Sequence, residues 1–319
     1  MCSATAWFGA SKYLPAVTSN DPRQIVLPAH DYDLASTLSS GQAFRWRPDG
    51  DAWIGVVAGR WVRLRQLPDG IAAETSQNIT DWSWLRDYLQ SDVELASILA
   101  TFPDDEPMRA AVEACRGVRL LRQDPWECLA SFILSSTKQI VQIQQIVALL
   151  CERFGRAIQP HRGSPPVFAF PLAKDIAART ETELRACKMG FRAPYLLNAA
   201  KRIASGDLDL ESLRSMKLSV ARESLTSLSG VGRKIADCVL LFAYGFPTAF
   251  PVDVWVVKGL QELYFPKRRA RPDRLLRFSE THFGPNAGYA QQYLFHYMRT
   301  QRSPRGPAKI NPSPTTTSS

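Results

Sequence analysis

Two residues of this chain could together do covalent chemistry. Lys234 closes the segment Leu228-Ser-Gly-Val-Gly-Arg-Lys234, and Asp253 follows Pro251 in FPVDVW. An amine kept neutral by desolvation is a nucleophile. A carboxylate beside it stabilises the oxocarbenium-like carbon left when a group departs from a sugar C1′. Each residue also has an ordinary explanation, since most lysines are solvated surface groups and an aspartate after proline is a natural helix N-cap. An amine and a carboxylate at the mouths of adjacent helices are nonetheless what attack at C1′ needs.

The surroundings narrow the reading. Gly230 and Gly232 make a short turn between two helical patterns, where glycine allows positive φ and close backbone approach. Outward-pointing amides at the start of the second helix suit a phosphate, although the same turn could simply join two helices. Lys234 and Cys238 are four apart and share a helix face, as do Gln291 and Phe295 in GYAQQYLFHYM. Gly41 lies in a Ser-Ser-Gly-Gln turn.

These residues must be carried on elements. From about Arg23 to Ala73, alternating apolar and polar residues between two Pro-Asp-Gly turns and a Gly59 turn predict an antiparallel meander. Trp53, Val57 and Trp61 are expected on its packed face. Beyond about Asp81 the apolar spacing becomes three and four, which predicts helices to the end of YMRT, with Asp124-Pro125 starting one of them. Residues 156–171 form a proline-rich connector. The organisation expected is an arm at 1–22, a sheet domain with helices at 23–105, a helical domain at 106–300 with its hairpin at about 221–244, and a disordered tail at 301–319. The fold class is α+β, an antiparallel sheet layer packed on a mainly helical body of two subdomains.

Composition sets further bounds. The 319 residues carry a formal charge of +9, which fits a polyanionic partner without proving one. The six cysteines are too scattered for a zinc or iron-sulfur cage, and Cys128 and Cys151 read as buried reduced thiols. No apolar run is long enough for a membrane span, and the N-terminus has no secretory pattern, so an intracellular protein without membrane contact is expected.

LSGVGRKIADC followed by FPVDVW resembles the helix-hairpin-helix and aspartate signature of base-excision DNA glycosylases, and more closely that of 8-oxoguanine DNA glycosylases. SSGQAFRW, LLRQDPWECLASFILSS, MGFRAPYL and YAQQYLF extend the resemblance over about residues 25 to 300. It implies a glycosylase and abasic-site lyase in which Lys234 attacks C1′ to form a Schiff base, Asp253 assists, and β-elimination of the strand follows. It also implies that Cys238 and Phe295 sandwich the flipped base, that Gln291 reads its Watson-Crick edge, and that the Gly41 carbonyl accepts the proton on N7 of oxidised guanine. Phe191 and Arg192 match the residues that fill the hole and contact the orphaned cytosine. The partner implied is double-stranded DNA containing oxidised guanine, bound by a monomer. No organic cofactor or catalytic metal is implied, only a structural monovalent cation at the hairpin carbonyls.

The chain departs from that pattern where the partner strand is read. Thr137, Lys138 and Gln139 replace an asparagine run, Gln142 stands where a second cytosine-reading arginine is expected, and Trp255 replaces a histidine. Two other readings stay open on the sequence. A monofunctional glycosylase for alkylated bases would share the fold and the aspartate without needing Lys234. A non-catalytic DNA-binding module would use the hairpin only as a clamp and leave the other matches as coincidence.

Overall fold

The computed structural model describes residues 21–301 apart from 137, 162 and 268. The expectations for an N-terminal arm, a disordered tail and Thr137 therefore fall wholly or almost wholly outside the described residues.

Five strands, β1 (Gln24–Pro28), β2 (Arg47–Asp49), β3 (Ala52–Val57), β4 (Arg60–Leu67) and β5 (Gly70–Thr75), form an antiparallel sheet in the order β1-β5-β4-β3-β2. The meander is as predicted, but β1 closes back on β5, and the helix α1 (Leu34–Ser39) interrupts the strand region before β2. One expectation is corrected by register. Trp61 pairs with Val56, whereas Trp53 pairs with Leu64, so Trp61 lies on the opposite face from Trp53 and Val57. Trp53 and Val57 pack with Leu64, Leu85 and Leu89, while Trp61 packs with Val56, Ile158 and Ala169. Both sheet faces are therefore covered in part.

Helices α2 (Ser83–Leu89), α3 (Leu95–Leu99) and α4 (Glu106–Cys115) lead from the sheet to α5 (Pro125–Leu134). Asp124 caps α5 as its pattern predicts, accepting from the Glu127 N–H at 2.8 Å with Pro125 in the first turn. The long apolar run after Pro125 is not one helix. It breaks at the Ser-Ser pair and resumes as α6 (Ile140–Phe154). The proline-rich connector holds a small ladder of β6 (Ala157–Ile158) and β7 (Val167–Phe168). Next come α7 (Ala173–Ala177), α8 (Glu181–Leu184) and α9 (Ala193–Ala204), then the hairpin pair α10 (Leu218–Thr226) and α11 (Arg233–Val239). The chain continues through a wider helical turn, Leu240–Tyr244, into α12 (Val254–Tyr264), α13 (Pro272–His282) and α14 (Ala287–Gln301).

The main core lies inside the helical body and includes Phe132, Leu225, Val239 and Leu260, with a second core under the sheet around Leu64 and Ile71. One glutamine joins the layers. Gln42, 0% exposed, donates to the carbonyls of Thr37 and Arg119 and accepts from the Leu121 N–H, while its own carbonyl accepts from Gln123 Nε2. No helix of the described residues is long and apolar enough to cross a membrane.

Candidate active site

α10 and α11 are joined by a tight turn at Ser227–Gly232. The two glycines do different work. Gly230 has φ +80°, and a Cβ there would lie 2.5 Å from Tyr195 Cγ on α9. Only glycine satisfies both demands. Gly232 has φ −89° and open space where a Cβ would sit, so it caps α11 without a steric requirement for glycine.

Lys234 follows in the first turn of α11. Its Nζ lies 3.5 Å from Ser135 Oγ and 5.4 Å from the centre of the Phe132 ring. Ser135 gives its own proton to the Phe132 carbonyl at 2.7 Å, so its oxygen faces the amine as an acceptor. α5 therefore supplies the wall against which the amine rests. Cys238, one turn on, is buried, and burial pushes its thiol up to about 12 while Lys234 draws it down and Asp253 adds to the rise. The thiol is a neutral, soft surface.

Asp253 caps α12. Its Oδ1 accepts from the N–H groups of Trp255 and Val256 at 3.0 and 2.8 Å. Burial raises this carboxyl above its ordinary value. The bond from Val256, the Lys234 charge, the bond from Trp255 and the Arg299 charge oppose that rise without cancelling it. Lys234 and Cys238 thus sit one turn apart on α11, and the charges of Lys234 and Asp253 act on each other and on the Cys238 thiol.

α14 brings Phe295 against the Gly41 turn, with Gln291 one helical turn earlier. Gly41 has φ +80°, and a Cβ there would stand 2.8 Å from Ile140 Cδ1 and 3.3 Å from Phe295 Cε1. Gln292 Nε2 donates to the Ser40 carbonyl at 3.1 Å, and Arg299 Nη2 donates to the Ser39 carbonyl at 2.6 Å. Gln291 is buried, and its Oε1 accepts no hydrogen bond. A groove beside Ile54, Trp61, Val141 and Gln144 is lined by none of these residues.

The residues assigned to the partner strand are more dispersed. Phe191 is exposed, with the Arg192 guanidinium 4.3 Å over its ring. Arg192 itself is buried and donates to the Met189 and Ser136 carbonyls, so its guanidinium is turned inward to the break after α5. Gln142 is exposed, its Oε1 accepting the Gln139 N–H at 3.1 Å at the start of α6. Ser135 and Arg299 were not picked out from the sequence. Ser135 could have been found from the Ser-Ser pair that ends α5, and Arg299 from its place four residues after Phe295.

The family description "8-oxoguanine DNA glycosylase, N-terminal domain" matches residues 24–129, and "HhH-GPD superfamily base excision DNA repair protein" matches residues 130–284. The Arabidopsis thaliana N-glycosylase/DNA lyase OGG1 is 31% identical over 82% of this chain and 76% of the plant protein. A probable N-glycosylase/DNA lyase of Methanothermobacter thermautotrophicus is 28% identical over 86% of this chain and 95% of its own length. Among solved structures, the Clostridium acetobutylicum 8-oxoguanine glycosylase/lyase, bound to double-stranded DNA with cytosine opposite 8-oxoguanine, aligns with a TM-score of 0.79 at 30% identity. That alignment covers 86% of this chain and 97% of the clostridial one. With both halves matched in order, and a relative 31% identical over most of both chains, the chain belongs to the 8-oxoguanine DNA glycosylase family of the helix-hairpin-helix base-excision repair superfamily.

Proposed function

We propose that this protein excises 8-oxoguanine from duplex DNA and then cleaves the strand, with Lys234 as nucleophile and Asp253 as its carboxylate partner. The observation that carries the reading is the Lys234 amine held 3.5 Å from Ser135 Oγ, its charge acting on the buried N-cap carboxyl of Asp253, with Phe295 lying against the Gly41 turn.

The Lys234 nitrogen bonds to C1′ as the C1′–N9 bond breaks, and the bonding pair leaves with the base. Asp253 stabilises the positive charge that develops at C1′ and O4′. One amine proton passes to the departing base anion, ring opening with O4′ taking a proton from solvent gives an iminium between Lys234 and C1′, and loss of a C2′ proton to solvent gives an enamine that expels the 3′ phosphate. Cys238 and Phe295 hold the two faces of the base, Gln291 meets its Watson-Crick edge, and the Gly41 carbonyl accepts N7–H. That last contact separates the lesion from guanine, whose N7 is only an acceptor.

Phe191 is suited to fill the gap in the duplex, and Gly230 and Gly232 keep the hairpin backbone close to phosphates. The covalent chemistry is supplied by the amine, with no organic cofactor or catalytic metal called for. A structural monovalent cation at the hairpin would take neutral main-chain oxygens, of which the Leu228 carbonyl already accepts the Val231 N–H at 3.1 Å. The protein acts as a monomer inside the cell, where the five buried free thiols of the described residues suit a reducing compartment.

Borohydride trapping on an 8-oxoguanine duplex tests the reading. Wild type forms a covalent adduct and a nick; Lys234→Gln forms neither. A Lys234→Gln protein that still traps would remove the lysine from this role.

A further inference from the structure

Gln291, Phe295 and Arg299 follow one another at four-residue steps on α14, so amide, ring and guanidinium form a row along one helix face. Both ends of the row are unsatisfied. Gln291 Oε1 is buried and accepts no hydrogen bond, and Arg299 Nη1 is buried and donates none. Leaving a charged donor unpaired is costly in a folded protein. The rest of the guanidinium is held firmly, with Nη2 on the Ser39 carbonyl at 2.6 Å and the group 5.7 Å from the Phe295 ring centre. The unpaired nitrogen faces the Gly41 turn, 3.1 Å from where a Cβ on Gly41 would stand. An aromatic platform is thus flanked by a free acceptor and a free donor.

Oxidised guanine carries the complementary pattern. Its Watson-Crick edge presents N–H donors, and on the other side O6 and the O8 added by oxidation flank N7–H as acceptors. Eight residues of α-helix rise roughly 12 Å, room for a purine with a hydrogen bond at each end.

We propose that Arg299 is a further recognition residue of the base pocket, its Nη1 donating to a carbonyl oxygen that flanks N7 of the extruded base, beside the Gly41 carbonyl. The inference rests on the glycosylase reading above. The guanidinium does more than recognise. When the C1′–N9 bond breaks, the bonding pair remains on the base, and its charge spreads onto these carbonyl oxygens. A fixed cation facing them favours departure of that anion.

Single-turnover kinetics of wild type, Arg299→Leu and Arg299→Lys on matched duplexes carrying 8-oxoguanine, or an abasic site in its place, test the proposal. Both variants should lose excision of 8-oxoguanine by about tenfold to a hundredfold, while cleavage at the abasic site, where no base is held, stays within about twofold in Arg299→Lys, which keeps the charge that acts on Asp253. Arg299→Lys keeps a cation for the Ser39 carbonyl, so the comparison stands even if Arg299→Leu folds poorly. Repeating the ratio on 8-oxoadenine, which keeps O8 but has an amino group for O6, assigns the bond. An equal loss points to O8 and no loss to O6, and either agrees with the proposal. Variants that excise 8-oxoguanine at the wild-type rate, or that lose abasic-site cleavage to the same degree, overturn it. A wild-type protein that leaves 8-oxoguanine in place overturns the glycosylase reading itself, an outcome visible before any variant is made.

Discussion

Arg222 Nε donates to Asp237 Oδ1 at 2.7 Å, clasping α10 to α11 one residue before Cys238 and three after Lys234. The carboxylate is 1% exposed, and Arg233 approaches its other oxygen at 3.5 Å. Burial raises the Asp237 pKa in spite of both cations, so the clasp sets the hairpin geometry against a desolvation cost. Arg222→Met strands that carboxylate with one weak partner. Urea denaturation should show a loss on the order of 3 kcal/mol, and excision should fall because Lys234 rides on the same helix. A loss below about 1 kcal/mol would mean that Arg233 alone satisfies Asp237.

Asp253 makes the protein's pH behaviour specific. Its folded pKa lies above the ordinary carboxylate value, chiefly through burial. A carboxyl shifted upward favours the folded state when protonated. That contribution is complete below the unfolded value of about 3.9 and is lost as pH rises through the folded value. Asp253→Asn keeps an oxygen for the Trp255 and Val256 N–H groups but removes the buried charge. Its melting temperature should exceed that of wild type near neutral pH, and the gap should narrow on acidification. Excision by wild type should fall on the acid side with a midpoint above the usual carboxylate range. An Asn variant less stable than wild type at neutral pH would contradict the assignment.

Gly41→Ala places a methyl group 2.8 Å from Ile140 and 3.3 Å from Phe295 at a residue with φ +80°. The backbone conformation alone costs about 1 kcal/mol or more. Thermal unfolding should show that loss, and excision should fall much further than abasic-site cleavage, since the added group occupies the base pocket. Equal losses on both substrates would assign Gly41 to turn geometry only.

Gln142 is exposed, and its Oε1 accepts the nearby Gln139 N–H. Gln142→Arg should leave stability within about 0.5 kcal/mol. If this position faces the orphaned base, excision opposite cytosine should rise relative to thymine, guanine and adenine. An unchanged ranking across the four duplexes would place the partner-strand reader elsewhere.

Much of this arrangement is legible in the sequence because it depends on local spacing. The i, i+4 pairs Lys234–Cys238 and Gln291–Phe295, the Asp124 cap and the meander turns each follow from a few neighbouring residues. What resisted reading depends on long-range contact. The face of Trp61 turns on a one-residue difference in strand register. Arg192 is internal because it satisfies carbonyls at Ser136 and Met189, in a break that periodicity runs straight through. Arg299 reads as an ordinary cation until the Ser39 carbonyl is found beside it.

The Gln42 clamp carries a further consequence. The nucleophile and its aspartate stand on the C-terminal body, while the Gly41 turn belongs to the N-terminal layer, where Gln42 ties it to Thr37, Arg119 and Leu121 and where Gln292 and Arg299 of α14 hold the Ser40 and Ser39 carbonyls. Reactivity and discrimination are therefore inherited from different stretches of chain. Loosening these few contacts would leave a protein that still cuts abasic DNA but judges bases poorly, so the fidelity of the enzyme fails before its chemistry does.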